Sequence, residues 1–81
     1  MQPETIQKIL EQALPEAEVT ITSGDNIHFQ ATVISPQFKG LSKLAQHRIV
    51  YKALQEELKE KIHALQLTTK HSRRQSSEQY Q

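Results

Sequence analysis

Eighty-one residues with a net charge of +1 make at most one domain, with a modest core and correspondingly modest stability. The chain has no cysteine, which excludes disulfide staples and any metal centre built from its own thiolates. No run reaches the ~18 apolar residues of a membrane span and no basic-then-apolar signal pattern opens the sequence, so a soluble, cytoplasmic protein is expected.

In chain order, residues 3–14 predict a helix. Pro3 suits a first turn, where its missing N–H is not needed. Glu4 complements the positive end of the helix dipole. Ile6, Ile9, Leu10, Ala13 and Leu14 recur at the spacing of one buried stripe, and Pro15 stops the ladder. Residues 18–22 alternate, with Val19 and Ile21 on one face. Residues 28–34 alternate again, with Phe29, Ala31 and Val33 inward. The Ser23-Gly24-Asp25-Asn26 stretch between them is turn chemistry, so the pair reads as an antiparallel hairpin. His28 falls where the loop re-enters the second strand, at the mouth of the hairpin.

A turn holding Pro36, Phe38 and Gly40 leads into a long helical pattern through residue 58, with Ser42 as its N-cap. Leu44, His47, Val50, Tyr51, Leu54 and Leu58 form its main apolar stripe, and Ala45, Ile49 and Ala53 a second, narrower one. Residues 61–67 then read as a short strand with His63 at its beginning. The polar segment 70–81 reads as a disordered tail, leaving residues 1–69 as the domain. The order helix, strand, strand, helix, strand predicts a small α/β (α+β) domain. Its three-stranded mixed sheet has helices packed on one face, and a crossover makes the last two strands parallel.

Charge is unevenly spread. Residues 70–81 carry +2 and the remaining 69 residues −1, which is not the global basicity of a protein devoted to phosphate backbones. One local block is basic: Lys39, Lys43, Arg48 and Lys52, with no acid among them. It reads either as a phosphate-contacting surface or as a solvated helix face. No P-loop, dinucleotide fingerprint or H-E-x-x-H zinc motif is present, so a non-enzymatic role is expected. His47 lies on the apolar stripe and reads as a structural histidine whose ring is packed against the core. His28 and His63 sit at strand ends that a small sheet can bring to one edge. By pattern alone they are either two unrelated surface histidines or a pair of imidazole ligands for iron, zinc or copper.

Four motifs occur together. Asn26-Ile27-His28-Phe29 occupies the hairpin; Phe38-Lys39-Gly40 is followed, nine residues after Phe38, by His47-Arg48-Ile49-Val50; and Ile62-His63-Ala64 closes the set. The combination resembles the BolA family over residues 3–69, and the resemblance gives Phe38 and Gly40 a structural role. It implies a class II KH-like fold. It also implies a monothiol glutaredoxin partner, sharing a 2Fe–2S cluster with that partner's glutathione, and a chain that is monomeric alone and heterodimeric with the partner. The ligands implied on this side are the C-terminal histidine, His63, and the loop histidine, His28. A cysteine-free chain is compatible with this role, because two histidines replace two thiolates at one iron in Rieske-type centres. A second role implied for some members is transcriptional regulation through DNA, for which Lys39, Lys43, Arg48 and Lys52 are the candidates. Against it, the G-x-x-G loop with which KH domains clamp nucleotides is missing. The sequence departs from the family at Gln46, where many members have arginine, and after Thr68-Thr69, where Lys70-His71-Ser72 replaces a proline-containing segment. His71 lies in that divergent stretch and is not read as a ligand.

Overall fold

The computed structural model describes residues 1–73. Helix α1 (Pro3–Ala13) opens on Pro3 and carries Glu4 in its first turn. Its Ile6 and Leu10 are fully buried, as the stripe spacing requires. Strands β1 (Glu18–Thr22) and β2 (His28–Ile34) pair antiparallel with Val19 opposite Val33 and Ile21 opposite Ala31. A single 3₁₀ turn (Pro36–Phe38) follows, capped by Ser35, whose Oγ accepts from the Gln37 N–H at 3.2 Å. Helix α2 (Lys43–Ala53) begins on Ser42, whose Oγ accepts the Ala45 N–H at 3.1 Å. Strand β3 (Ala64–Lys70) returns parallel to β2, with His28 in register with Ala64 and Ile34 with Lys70. The sheet order is β1-β2-β3.

One core lies between the helices and one face of the sheet. Ile6 and Leu10 of α1, Val19, Phe29 and Val33 of the sheet, and Phe38, Val50, Leu54 and Ile62 form a single buried cluster. The opposite face carries Thr20, Thr22, Gln30, Gln66 and Thr68, all exposed. Period-two alternation sets this division: shifting any strand by one residue would move its apolar set into water. No helix among the described residues is long and apolar enough to cross a membrane.

Three expectations are corrected. The long helix is two helices, α2 and a short α3 (Gln55–Glu60), with Leu54 outside helical geometry between them at φ −105°, ψ 13°. The Leu54 N–H is shared between the carbonyls of Val50 and Tyr51 at 3.1 and 3.2 Å, and this shared bond marks the break. The main apolar stripe is also rotated. Leu44 is 61% exposed and Tyr51 39%, whereas Gln46 is 3% exposed, beside buried Val50 and Leu54. His47, expected to pack against the core, is half-buried on the flank, its ring 6.4 Å from that of Tyr51. The reason is the glutamine. Gln46 Nε2 donates to the carbonyls of Leu41 (2.9 Å) and Phe38 (3.3 Å), while its Oε1 accepts the Thr69 hydroxyl at 2.7 Å. A side chain that satisfies the turn entering its own helix and also clips β3 must face inward, and the helix turns to present it. Finally, β3 starts later and runs further than expected. Lys70 pairs with Ile34, and Arg73 donates to the Glu18 carboxylate. The expected tail therefore does not begin at residue 70. Its remaining residues, 74–81, lie outside the described residues.

Phe38 and Gly40 hold the turn that aims α2. Phe38 is fully buried. Gly40 sits at φ +82°, the left-handed region that glycine enters without steric cost. A Cβ there would meet nothing within 4 Å, so the backbone angle and not crowding asks for glycine.

Candidate functional site

The hairpin loop is built to place His28. Asn26 takes the left-handed conformation at φ 61°, which asparagine tolerates better than most residues. The Ser23 hydroxyl accepts the Asn26 N–H at 2.8 Å and donates to the His28 carbonyl at 2.6 Å, closing the loop on itself. Asp25 Oδ1 accepts the N–H groups of Ile27 (3.0 Å) and His28 (2.8 Å), and Asp25 Oδ2 lies 2.6 Å from His28 Nδ1. These contacts hold the Asp25 carboxyl well below the usual carboxylate range; the His28 N–H is the largest cause, followed by the imidazole and the Ile27 N–H.

The β2–β3 pairing brings the second histidine to the same place. The His63 N–H donates to the Ile27 carbonyl at 3.0 Å, one residue before His28. The two imidazole rings stand 5.3 Å apart, centroid to centroid, nearly perpendicular at 79°. Both residues are exposed, His28 with 58% of its side chain in solvent. His28 borders an open groove of about 470 Å³ that runs past Thr22, Gln30 and Gln66 on the open sheet face. His63 borders a second depression beside Leu58 and Lys59. Each histidine thus borders its own concave surface.

Two imidazoles so placed can serve one metal. An iron–nitrogen bond of about 2 Å and a tetrahedral angle put the ring centroids of two histidines on one iron roughly 5 Å apart, close to the separation observed. The His28 ring is held at Nδ1, whereas the exposed His63 side chain turns at little cost, so the edge-on arrangement does not prevent convergence. Among the described residues, no group of three or more histidine, cysteine or acidic side chains forms a metal cage.

The other candidates are dispersed. Lys43 Nζ donates to the Thr69 carbonyl and is thus engaged within the fold. Lys39, Arg48 and Lys52 are exposed. His71, half-buried, follows the end of β3 opposite to His63. Two contributors were not read as such from the sequence. Asp25 passed as turn chemistry, although its place three residues before a histidine was a visible signal. Gln46 was noted only as a departure from the family pattern.

The fold is that of a small α+β protein with two histidines paired on one exposed edge. The family model described as BolA-like protein matches residues 3–74. The chain belongs to the BolA-like family. It is 37% identical over 68 residues to an uncharacterized protein of Rickettsia prowazekii, covering 82% of this chain and 88% of that one. It is 38% identical over 68 residues to the DNA-binding transcriptional regulator BolA of Vibrio cholerae, covering 84% of this chain and 60% of the regulator. With mouse BolA-like protein 1 the identity is 42% over 50 residues, covering 62% of this chain but only 36% of the longer relative. The solved structure of a BolA homologue from Coxiella burnetii superposes with a TM-score of 0.79 at 35% identity, over 95% of this chain and 97% of that one.

Proposed function

We propose that this protein is a non-enzymatic adaptor that pairs with a monothiol glutaredoxin and supplies the nitrogen side of a shared 2Fe–2S cluster. Its place would be in cluster assembly, delivery or iron signalling in the cytoplasm. His28 and His63 are the ligands in this reading. The observation that carries it is their 5.3 Å ring separation on an exposed edge, in a chain whose family resemblance implies such a partner. The absence of cysteine fits, since the sulfur ligands would come from the glutaredoxin and its glutathione. Imidazole in place of thiolate raises the potential of such a cluster and makes it sensitive to pH.

The test is reconstitution. The chain, a monothiol glutaredoxin, glutathione, iron and sulfide are mixed, and the product is followed by size exclusion and visible circular dichroism. A heterodimer whose spectrum differs from that of the glutaredoxin alone is expected, and His28→Ala with His63→Ala abolishes the difference. An unchanged spectrum in the double variant removes both ligands from the account.

A second reading, a DNA-binding regulator, is favoured by the name of the Vibrio cholerae relative. The basic block would contact phosphates through Lys39, Arg48 and Lys52, with Lys43 held back by Thr69. Titration with duplex DNA at several salt concentrations separates the two readings, because each neutralised phosphate steepens the salt dependence by about 0.9 in the log–log slope. Sequence-specific binding lost on changing Arg48 and Lys52 to alanine would favour this reading over the first.

A further inference from the structure

We infer that Asp25 is a positioning residue that fixes the tautomer of His28, so that the ring presents its Nε2 lone pair to a metal. This deepens the cluster-sharing reading of the same edge and rests on it. A neutral imidazole carries one proton and one lone pair, and its ligand nitrogen is whichever one the proton leaves. His28 Nδ1 lies 2.6 Å from Asp25 Oδ2. A carboxylate in that position only accepts, so the proton belongs on Nδ1 and the lone pair on Nε2. Metal-bound histidines are commonly oriented in this way by a carboxylate on their other nitrogen.

The carboxylate is itself fixed. Its second oxygen, Oδ1, accepts the N–H groups of Ile27 and His28 at 3.0 and 2.8 Å, which sets the direction of Oδ2. The Ser23 hydroxyl holds the carbonyl of His28 at 2.6 Å, so both backbone groups of His28 are tied to the loop. The backbone of His28 is thus held at both polar groups and its ring at Nδ1, while more than half of the side chain stays open to solvent. No charged side chain other than Asp25 is paired with this ring among the described residues. His63, by contrast, is placed through its backbone N–H on Ile27. The two ligands are therefore unequal: His28 is pre-oriented, and His63 is the one left to adjust.

Asp25→Asn gives a discriminating variant. Its amide oxygen can still accept the two backbone N–H groups, which keeps the loop closed. Its amide nitrogen would then face His28 Nδ1 as a donor, which drives the proton to Nε2 and blocks the coordinating atom. Long-range ¹H–¹⁵N correlation spectra of the isolated full-length protein in mildly alkaline buffer report the tautomer directly. The Nδ1–H form is expected in the parent protein and the Nε2–H form in Asp25→Asn, with backbone amide shifts outside residues 23–28 unchanged. In the reconstituted glutaredoxin complex, Asp25→Asn should lose its cluster faster by about 10-fold or more, the scale typical of outer-shell partners, with His28→Ala as the reference. A parent protein found in the Nε2–H form overturns the inference, as does an Asp25→Asn complex as stable as the parent when His28→Ala is not. A complex indifferent to His28→Ala sinks the cluster-sharing reading instead, while the tautomer spectra still decide the role of Asp25.

Discussion

The two ends of β3 use polar side chains in opposite ways. At the C-terminal end, Thr69 is 1% exposed and its hydroxyl is bound to Gln46, which also satisfies the carbonyls of Phe38 and Leu41. Lys43 takes the Thr69 carbonyl, and no buried side-chain polar atom among the described residues lacks a partner. At the N-terminal end, His63 and His28 stand in solvent with their rings 5.3 Å apart, and only His28 Nδ1 is engaged, by Asp25. The first arrangement fixes where β3 lies against α2. The second leaves donor atoms for something outside the chain. A satisfied buried network rigidifies a fold, and here it anchors the strand at whose other end the proposed ligands lie.

Breaking the anchored end should have the largest effect on stability. Phe38→Ala removes a fully buried ring at the turn into α2 and should cost about 3–5 kcal/mol, a large share of the ~5–10 kcal/mol expected of a small domain. Urea denaturation measures it. Gln46→Ala removes the partner of the buried Thr69 hydroxyl and of the Leu41 carbonyl, while the Phe38 carbonyl keeps the Leu41 N–H, and should cost about 1–3 kcal/mol. A double-mutant cycle with Thr69→Val should show a coupling on the order of 1 kcal/mol, because the two share a hydrogen bond. The histidine end should barely register in the same assay: His28→Ala and His63→Ala, each exposed, should fall within about 0.5 kcal/mol of the parent.

Acid should distinguish the ends as well. The folded-state pKa of Asp25 is depressed, so its hold on the loop is complete above the ordinary carboxylate range. Its contribution to stability declines as pH falls through that range, where the unfolded chain takes up the proton first, and is lost below the depressed value. In the folded protein the Ile27 and His28 amide resonances should therefore shift with Asp25 only below the ordinary carboxylate range. The Gln46 side-chain amide, whose partners are two carbonyls and a hydroxyl, should not follow the same titration.

Much of the fold was legible in the sequence because it rests on strong local signals. Pro3 and Pro15 bound α1, alternation marked the hairpin at Glu18–Thr22 and His28–Ile34, and Ser42 capped α2 as expected. The orientation of α2 was not legible. Periodicity ranks leucine, tyrosine and histidine above glutamine as inward residues, but a glutamine with three partners outweighs them once the turn and β3 are in place. The break at Leu54 has no glycine or proline to announce it. The meeting of His28 with His63 was open by pattern alone; the parallel return of β3 beside β2 decides it by bringing the two strand ends together. Asp25 was hidden by its residue type. Aspartate in a Gly/Asn-rich loop satisfies turn statistics, and only side-chain geometry shows that its second oxygen faces the imidazole.

The central claim, that the exposed end of β3 supplies nitrogen ligands, is tested most directly by pulsed electron paramagnetic resonance. The complex is assembled with ¹⁵N-histidine in this chain alone and an unlabelled glutaredoxin, and its cluster is reduced by one electron. Two ¹⁵N couplings strong enough for direct coordination are predicted, both absent in the His28→Ala, His63→Ala variant. A reduced cluster without strong coupling to any nitrogen of this chain would contradict the account.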